Sequence, residues 1–500
     1  MRAVLLKVTL IVLFMLLNLA GLGVAHSPDV LLAAPSGPFT WSPPENVTRT
    51  PQMSGRPALV SDRYGYVHLF WGEDYDGPVT REGAQRRSNT IYYRRWDGTQ
   101  WSDAVDLFDG SSNDSPVVAV DETSRLYLLY TAGDGLHFSS APSQLAGSAA
   151  AWTKARLLEP GNILARPTII ARGKGELRIA YTLMLRDGVK DGNVYYRDSR
   201  DGGESWSEPV QITNLDATSY TVAPFPILAQ DNRGRLHLAW HYADPPDFTG
   251  TAVYYSRSMD DGKTWTTPLK MAEVGEKVRN SQLPQLVALG NEVIHYMWVC
   301  GEVAGRCEQV SVDGGATWGP TRRLFGDMNA SADYDAVVAD PATGTAYWVM
   351  KLRFPEALYY SYLIGDEWAS PPIMIDDSML HGGHAATATI ANGNELHVAV
   401  EIRGRADAYD IGYARGVNPQ APRTEPQPTP PPTPTPTPAP TATAETAARP
   451  TPTPYRPARI AQTGAAPLES NERDWAMSTT VLPVLLFLGG VVALILFRRR

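Results

Sequence analysis

The chain repeats one short phrase three times, and each copy places a carboxylate at the same position. The copies fit S-x-D-x-G-x-[ST]-W and read SRDGGESW, SMDDGKTW and SVDGGATW, starting at residues 199, 258 and 311. In a tight turn a carboxylate can accept backbone N–H groups, the glycine permits positive φ and the tryptophan packs inward. The phrase therefore predicts structural turns and no catalytic acid. Its aspartates are Asp201, Asp260 and Asp313, and its tryptophans are Trp206, Trp265 and Trp318.

Two further groups of side chains could do chemistry. Cys300 and Cys307 flank GEVAGR in a predicted hairpin, so we expect a cross-strand disulfide in an oxidising compartment. HGGH at residues 381–384 has two imidazoles but lacks further ligands at a recognisable spacing, which favours a solvent loop over a metal site. We therefore predict no metal and no cofactor.

The elements that position these residues form a longer repeat. The spacing of the phrase is too long for a helical solenoid and fits a four-stranded propeller blade. Seven units begin with a β-branched run and continue with an alternating second strand such as YVHLFW, RLHLAW or ELHVAV. We therefore predict an all-β, seven-bladed β-propeller over residues 39–416. Six blades remain the alternative if the second unit, which lacks the phrase, is misassigned.

The two ends of this region predict how the ring closes. The seventh unit ends near Gly416 without a fourth strand. WSPPENVT, which begins at Trp41, resembles the strands that follow the phrase, such as SWSEPVQIT. We expect it to complete the last blade, which leaves no sheet edge open.

The phrase resembles the Asp-box, or BNR repeat, of sialidases and related β-propellers. In that family the box lies at the turn between the third and fourth strands, opposite the active site. The resemblance implies a second face, here called the loop face, formed by the loops between second and third strands and by the starts of the first strands. HYADPPDFTGT contributes His241, Tyr242 and Asp244 there as ligand-binding candidates. The first strands start near Arg56, Asp114, Arg166, Tyr220, Arg279, Tyr334, His381 and His384.

The same resemblance implies a chemistry. Sialidases hold the sugar carboxylate with three arginines and use a tyrosine, backed by a glutamate, as nucleophile and an aspartate as acid/base. Arg56 in GRPALV resembles the first arginine of that family, which stands in an R-I-P-A-L type of strand. The candidates are Arg56, Arg166 and Arg279 for the carboxylate, Asp74 or Asp76 as acid, Tyr334 as nucleophile, and Glu356 or Glu401 as its partner.

The sequence features that resemble a sialidase site could instead be residues that recur in every blade for structural reasons. RP recurs at Arg166, VHLFW recurs in RLHLAW, and sialidase catalytic domains have six blades. We therefore predict that the propeller recognises an extracellular glycan or glycoprotein through the loop face. A glycoside hydrolase of the exo-α-sialidase type, another glycoside-acting enzyme and a protein-binding assembly propeller are the alternatives. A converging arginine cluster beside a Tyr/Glu pair would favour the hydrolase.

The chain ends predict a surface protein. Residues 1–25 fit a cleaved signal peptide, and residues 417–475 form a Pro/Thr-rich stalk. The apolar run in residues 476–497 predicts a transmembrane helix, and the arginines at 498–500 place the C-terminus in the cytoplasm. The propeller would then be extracellular on a single-pass cell-membrane protein. A buried core helix and a sortase-type signal at IAQTG are the alternatives.

Composition excludes some partners. The formal charge of −9 and the pI near 5.6 give no basic stripe for nucleic acid. With 43% hydrophobic residues, 13 Trp and 23 Tyr, the chain can fill an aromatic β core.

Overall fold

The computed structural model describes residues 37–429 apart from 51–52, 77–86, 111–115, 187–188, 217, 245–248, 274–280, 291, 302–304, 327, 329–333, 341–343, 354, 381–383 and 404–408. The predicted signal peptide, the predicted transmembrane segment and most of the predicted stalk lie outside these residues. In the described part, no helix has the length and apolar character needed to cross a membrane.

Seven antiparallel sheets form the seven blades, which are numbered along the chain. In chain order, β1 (Thr40–Trp41) and β2 (Glu45–Asn46) precede blade 1; blade 1 has β3 (Met53–Ser61), β4 (Val67–Asp76), β5 (Arg87–Trp96) and β6 (Val105–Gly110); blade 2 has β7 (Val117–Val120), β8 (Arg125–Ala132), β9 (Gly135–Pro142) and β10 (Arg156–Pro160). Blade 3 has β11 (Asn162–Arg172), β12 (Glu176–Arg186), β13 (Val189–Ser199) and β14 (Val210–Gln211); blade 4 has β15 (Ile227–Gln230), β16 (Leu236–Ala243), β17 (Gly250–Ser258) and β18 (Leu269–Glu273); blade 5 has β19 (Ser281–Leu289), β20 (Val293–Cys300), β21 (Gly305–Ser311) and β22 (Arg322–Leu324). Blade 6 has β23 (Ala336–Asp340), β24 (Thr345–Leu352), β25 (Ala357–Ile364), β26 (Glu367–Trp368) and β27 (Ile373–Asp376); blade 7 has β28 (His384–Ala391), β29 (Glu395–Arg403) and β30 (Tyr409–Val417). Single 3-10 turns at Ser143–Leu145 and Ala149–Ala151 lie between β9 and β10.

The second strand of each blade carries much of the core. Trp71, Trp240 and Trp348 occupy these strands and are among the largest fully buried side chains. In the cluster between blades 3 and 4, Trp240 packs with Tyr196 and other apolar side chains. Because both faces of a blade are covered by neighbours, these strands are apolar on both sides.

The N-terminal strands close the ring. β1 and β2 pair with β30, with Trp41 opposite Gly416 and Glu45 opposite Tyr413. Phe39 packs edge-on against Tyr347 of blade 6, with ring centroids 5.1 Å apart. The predictions of seven blades and of strand closure are confirmed, and the six-bladed alternative is wrong.

The three phrases form the turns between third and fourth strands in blades 3, 4 and 5. In blade 4, Asp260 accepts the Thr264 N–H at 2.8 Å and its hydroxyl at 2.6 Å, and these bonds lower the pKa of Asp260 to about 2. Gly262 has a φ of +87°, and a Cβ there would lie 2.1 Å from the Tyr196 ring of blade 3. The box therefore holds its own turn and packs closely against the preceding blade. This side of the ring is here called the Asp-box face.

Two of the connections between second and third strands are largely strand. β4 continues to Asp76, and β12 and β13 are separated only by residues 187–188. The ladder continues past the core because an antiparallel pair satisfies its own backbone groups while polar side chains face solvent. Between β20 and β21 the hairpin carries a disulfide that joins Cys300 and Cys307, with Cα atoms 5.8 Å apart.

The beginning of the predicted stalk packs on the propeller. The Thr424 N–H donates to the Asn392 carbonyl at 2.8 Å, and the Gln427 N–H donates to the Arg63 carbonyl at 2.9 Å. Asn392 follows β28 and Arg63 follows β3, so this segment joins blades 7 and 1 on the Asp-box face. The packed region therefore extends beyond residue 416, the predicted end of the propeller.

Candidate functional site

The first strands of all seven blades surround a central cavity of about 260 Å³. Phe225 and Tyr334 lie just before β15 and β23, Leu283 lies near the start of β19, and Arg166 lies in β11 where its pairing register with β12 shifts. All four line the cavity, and the end that they form is here called the mouth. Two of the predicted residues, Arg166 and Tyr334, therefore line one cavity.

A repeated backbone irregularity shapes this mouth. Arg56, Phe225 and Leu283 have φ of 55°, 55° and 51°, and each precedes a proline. Proline has no N–H to donate to the ladder, and the pairing registers of β3 with β4 and of β19 with β20 shift at this point. A bulge redirects a side chain, and unusual backbone conformations are concentrated at functional sites. The proline that follows each of these three residues thus explains why their backbone leaves the regular strand at the mouth.

Arg166 is partly buried and makes no hydrogen bond or ion pair with the residues that the structure describes. Burial lowers its pKa below the ordinary value, and the charge of nearby Arg56 acts in the same direction. Tyr334 and the negative charge of Glu401 act against this shift, so all three groups are close enough to influence Arg166. A guanidinium stays protonated in proteins. Arg166 is therefore a partly desolvated cation in the wall of the cavity.

Glu401 connects the last blade to the first. It lies on β29, and its Oε1 accepts the backbone N–H of Arg56. A Cβ on Gly55 would lie 3.1 Å from the same oxygen, so the glycine gives Glu401 room to approach. The Arg56 side chain itself is exposed. The carboxylate fixes the backbone from which Arg56 projects.

Tyr334 is positioned from two sides. Its ring meets the edge of Phe225 with centroids 4.9 Å apart. The next residue, Asp335, is buried, and its carboxylate accepts hydrogen bonds from Nε and Nη2 of Arg306 at 2.5 and 2.6 Å. Trp348 Nε1 also donates to Asp335 at 2.9 Å. The start of blade 6 is therefore tightly held where Tyr334 faces the mouth.

Of the residues predicted to bind a ligand, His241 has no exposed surface. Its ring stacks beneath Phe225 with centroids 5.6 Å apart, and Nδ1 accepts the Leu283 N–H at 3.4 Å. Burial lowers the pKa of His241 to about 3. Nearly every side chain of β16 is buried, and a neutral histidine here supports the mouth from below.

The remaining candidates are spread over the loop face. Tyr242 packs on Tyr254 with centroids 4.3 Å apart, whereas Asp244 is exposed and accepts the Thr221 hydroxyl at 2.8 Å. Glu356 is exposed and pairs with Lys351 Nζ at 2.9 Å. Asp74 and Asp76 end β4, but their side chains lie outside the described residues, as do Asp114, Arg279, His381 and the side chain of His384.

Buried histidines make a repeated structural contact that the sequence pattern did not predict. His68 Nδ1 lies 2.8 Å from the Tyr93 hydroxyl, and its Nε2 lies 3.3 Å from Asp62 Oδ2. Burial lowers the pKa of His68, so the neutral ring donates to Asp62 and accepts from Tyr93. The same arrangement recurs at His237 with Tyr255. In the sequence, this arrangement is signalled by the histidine that recurs in VHLFW and RLHLAW. The recurrence shows that these two strand sequences follow a consensus of the blade.

No family model matches the sequence, and no curated protein sequence matches it. Among solved structures, the chain is similar to a protein of unknown function from Dyadobacter fermentans, at 13% identity and a TM-score of 0.48 over 77% of this chain and 100% of that one. It is also similar to the polysaccharide lyase Uly1, at 12% identity and a TM-score of 0.49 over 74% of this chain and 90% of that one. The intramolecular trans-sialidase of Ruminococcus gnavus gives 12% identity and a TM-score of 0.42 over 77% and 97%.

Similarity at these identities concerns the fold alone. The seven sheets confirm the predicted all-β, seven-bladed propeller as an architecture. What the mouth does must be argued from its own residues.

Proposed function

We propose that the mouth binds the carboxylate of an acidic sugar. The observation that carries this proposal is Arg166, a partly buried guanidinium that makes no hydrogen bond or ion pair with the described residues and on which Glu401 acts only through its charge. Leaving a desolvated charge unpaired is costly, and a carboxylate matches the guanidinium fork. A bound carboxylate would supply the missing partner.

The surrounding charges favour a single negative charge on the ligand. Arg56 adds a second cation at the rim, while Glu401 carries a negative charge close to both arginines. This balance suits a carboxylate better than a dianionic phosphate. The cavity of about 260 Å³ is just below the range for drug-sized ligands, so it suits a group the size of one sugar ring.

A titration of the purified protein tests the proposal. We expect N-acetylneuraminic acid or glucuronic acid to bind in isothermal titration calorimetry, and uncharged galactose to bind far more weakly. Arg166→Ala should weaken binding roughly 10- to 100-fold, the range of hydrogen bonds to charged groups. Arg166→Lys should fall between the two because lysine keeps the charge and loses the fork.

Arg172→Ala is the matched control. Arg172 ends the same strand β11 on the opposite side of the ring, where its Nη2 donates to the Gln230 carbonyl at 2.7 Å. Its loss should leave binding unchanged. Equal binding of acidic and uncharged sugars, or an unaffected Arg166→Ala variant, would contradict the proposal.

A hydrolase remains the second candidate, because Tyr334 and Glu401 both act on Arg166. A tyrosine nucleophile beside a carboxylate-binding arginine is the arrangement that the sialidase resemblance implies. Release of a fluorogenic leaving group from an α-sialoside would support this candidate, provided that Tyr334→Phe removes turnover and retains binding. Binding without turnover in the unmodified protein favours recognition.

The proposed setting is the cell surface, with the propeller extracellular. Its support is the apolar and basic pattern of residues 1–25 and 476–500. Labelling of intact cells with a membrane-impermeant biotin reagent should tag the propeller, whereas labelling only after lysis would contradict this setting.

A further inference from the structure

The central channel of the ring continues beyond the mouth toward the Asp-box face. Leu59 of β3 and Val118 of β7 line the cavity at the mouth. Ser61 and Val120 stand two positions further along the same strands and line a second cavity of about 510 Å³. Because alternate residues of a strand point to the same side, the two cavities are successive parts of one channel.

The segment that follows the last strand lies at the Asp-box end of this channel. Residues 418–429, here called the strap, read NPQAPRTEPQPT and follow β30 directly. Thr424, Glu425 and Pro426 of the strap line the second cavity. A proline-rich segment favours extended backbone without internal hydrogen bonds, so its N–H groups are available to the ring.

Backbone hydrogen bonds hold the strap on both sides of the ring seam. The Thr424 N–H donates to the Asn392 carbonyl at 2.8 Å in the turn after β28, which belongs to blade 7. The Gln427 N–H donates to the Arg63 carbonyl at 2.9 Å in the turn after β3, which belongs to blade 1. The two bonds lie at the two ends of the part of the strap that lines the cavity.

The same two turns leave room for the strap. A Cβ on Gly393 would lie 2.9 Å from Thr424 Oγ1, and a Cβ on Gly65 would lie 3.0 Å from Pro426 Cγ. Both glycines also have positive φ, which glycine adopts without strain. A larger residue in either turn would push the strap outward, so these turns form a docking surface for it.

We infer that the strap seals the Asp-box end of the central channel, which makes the channel a blind pocket that opens at the mouth. The docking surface consists of the turns after β3 and β28, and its occupant is residues 418–429 of the same chain. This inference concerns the shape of the channel and does not depend on what the mouth binds.

Thiol labelling of the full-length protein tests the seal. The chain has two cysteines and a disulfide joins them, so Val120→Cys supplies the single free thiol at the level of the second cavity. Thr424→Pro combined with Gln427→Pro removes both N–H donors of the strap. We expect a maleimide on a flexible polyethylene glycol chain to label the Val120→Cys protein roughly 5- to 100-fold faster with this proline pair, the range for two lost hydrogen bonds.

Two controls are matched to this comparison. Thr424→Ala combined with Gln427→Ala changes the same side chains and keeps both N–H groups, so labelling of the Val120→Cys protein should stay slow. Val118→Cys places a thiol on the same face of β7 at the mouth. Its labelling rate should not respond to the proline pair, because the strap does not line that cavity.

Three outcomes would overturn the inference. Rapid labelling of the Val120→Cys protein with the native strap would show that the channel is open at this end. Equal labelling rates with and without the proline pair would show that the strap does not control access. A proline pair that accelerates labelling equally at positions 118 and 120 would show that the strap stabilises the whole ring and does not act as a seal.

Discussion

The neutral histidine beneath the mouth predicts how stability depends on pH. His241 is fully buried, its Nδ1 accepts the Leu283 N–H, and its Nε2 has no partner among the described residues. Burial alone lowers its pKa to about 3 in the folded protein. In an unfolded chain the pKa returns to about 6.5.

The sign and the size of the pH effect on the free energy of unfolding follow from this difference in pKa. Because the folded pKa is depressed, the contribution of His241 is complete above about pH 6.5 and is lost as the pH falls toward 3. The unfolded chain takes up a proton in that range, and the folded protein does not. Between pH 7.5 and pH 5 the free energy of unfolding should therefore fall by about 2 kcal/mol through this residue.

His241→Asn isolates the effect. The Asn side-chain oxygen can replace Nδ1 as the acceptor for Leu283, but it does not titrate. Urea unfolding of both proteins at pH 7.5 and pH 5 should show a pH dependence that is about 2 kcal/mol smaller in the variant. The other buried histidines, such as His68 and His237, are present in both proteins and cancel. An equal loss of stability in the two proteins would refute the burial argument.

Two further substitutions separate the scaffold from the site. Asp335→Asn should lower the free energy of unfolding by about 3–5 kcal/mol in chemical denaturation, because it leaves the Arg306 guanidinium buried with a weakened partner; an unchanged denaturation midpoint would show that the pair is dispensable. Asp201→Ala should lower stability by about 1 kcal/mol through lost turn hydrogen bonds to Ser205. It should leave acidic-sugar binding intact, and weaker binding in this variant would place a function on the Asp-box face.

Periodicity made the architecture predictable. The repeated phrase fixes the blade length, and an orphan strand near Trp41 is interpretable only if a final blade lacks one. Both inferences depend on patterns that recur along the chain, and tertiary contacts such as the pairing of Trp41 with Gly416 follow from them.

The site was only partly predictable, because it depends on which side chains meet across blades. Arg166 and Tyr334 were named from their place at strand starts, and the structure brings them to one cavity. His241 was named from a polar sequence, but the pleat turns it into the core. The role of Glu401 depends on a contact with Arg56 from the opposite end of the chain, which no local pattern reveals.

The most direct test of the central claim is a crystal structure of the protein with N-acetylneuraminic acid. The sugar carboxylate should lie within about 2.7–2.9 Å of the Arg166 guanidinium, the distance of a charge-assisted hydrogen bond. A sugar bound away from the mouth, or one whose carboxylate points away from Arg166, would contradict the claim.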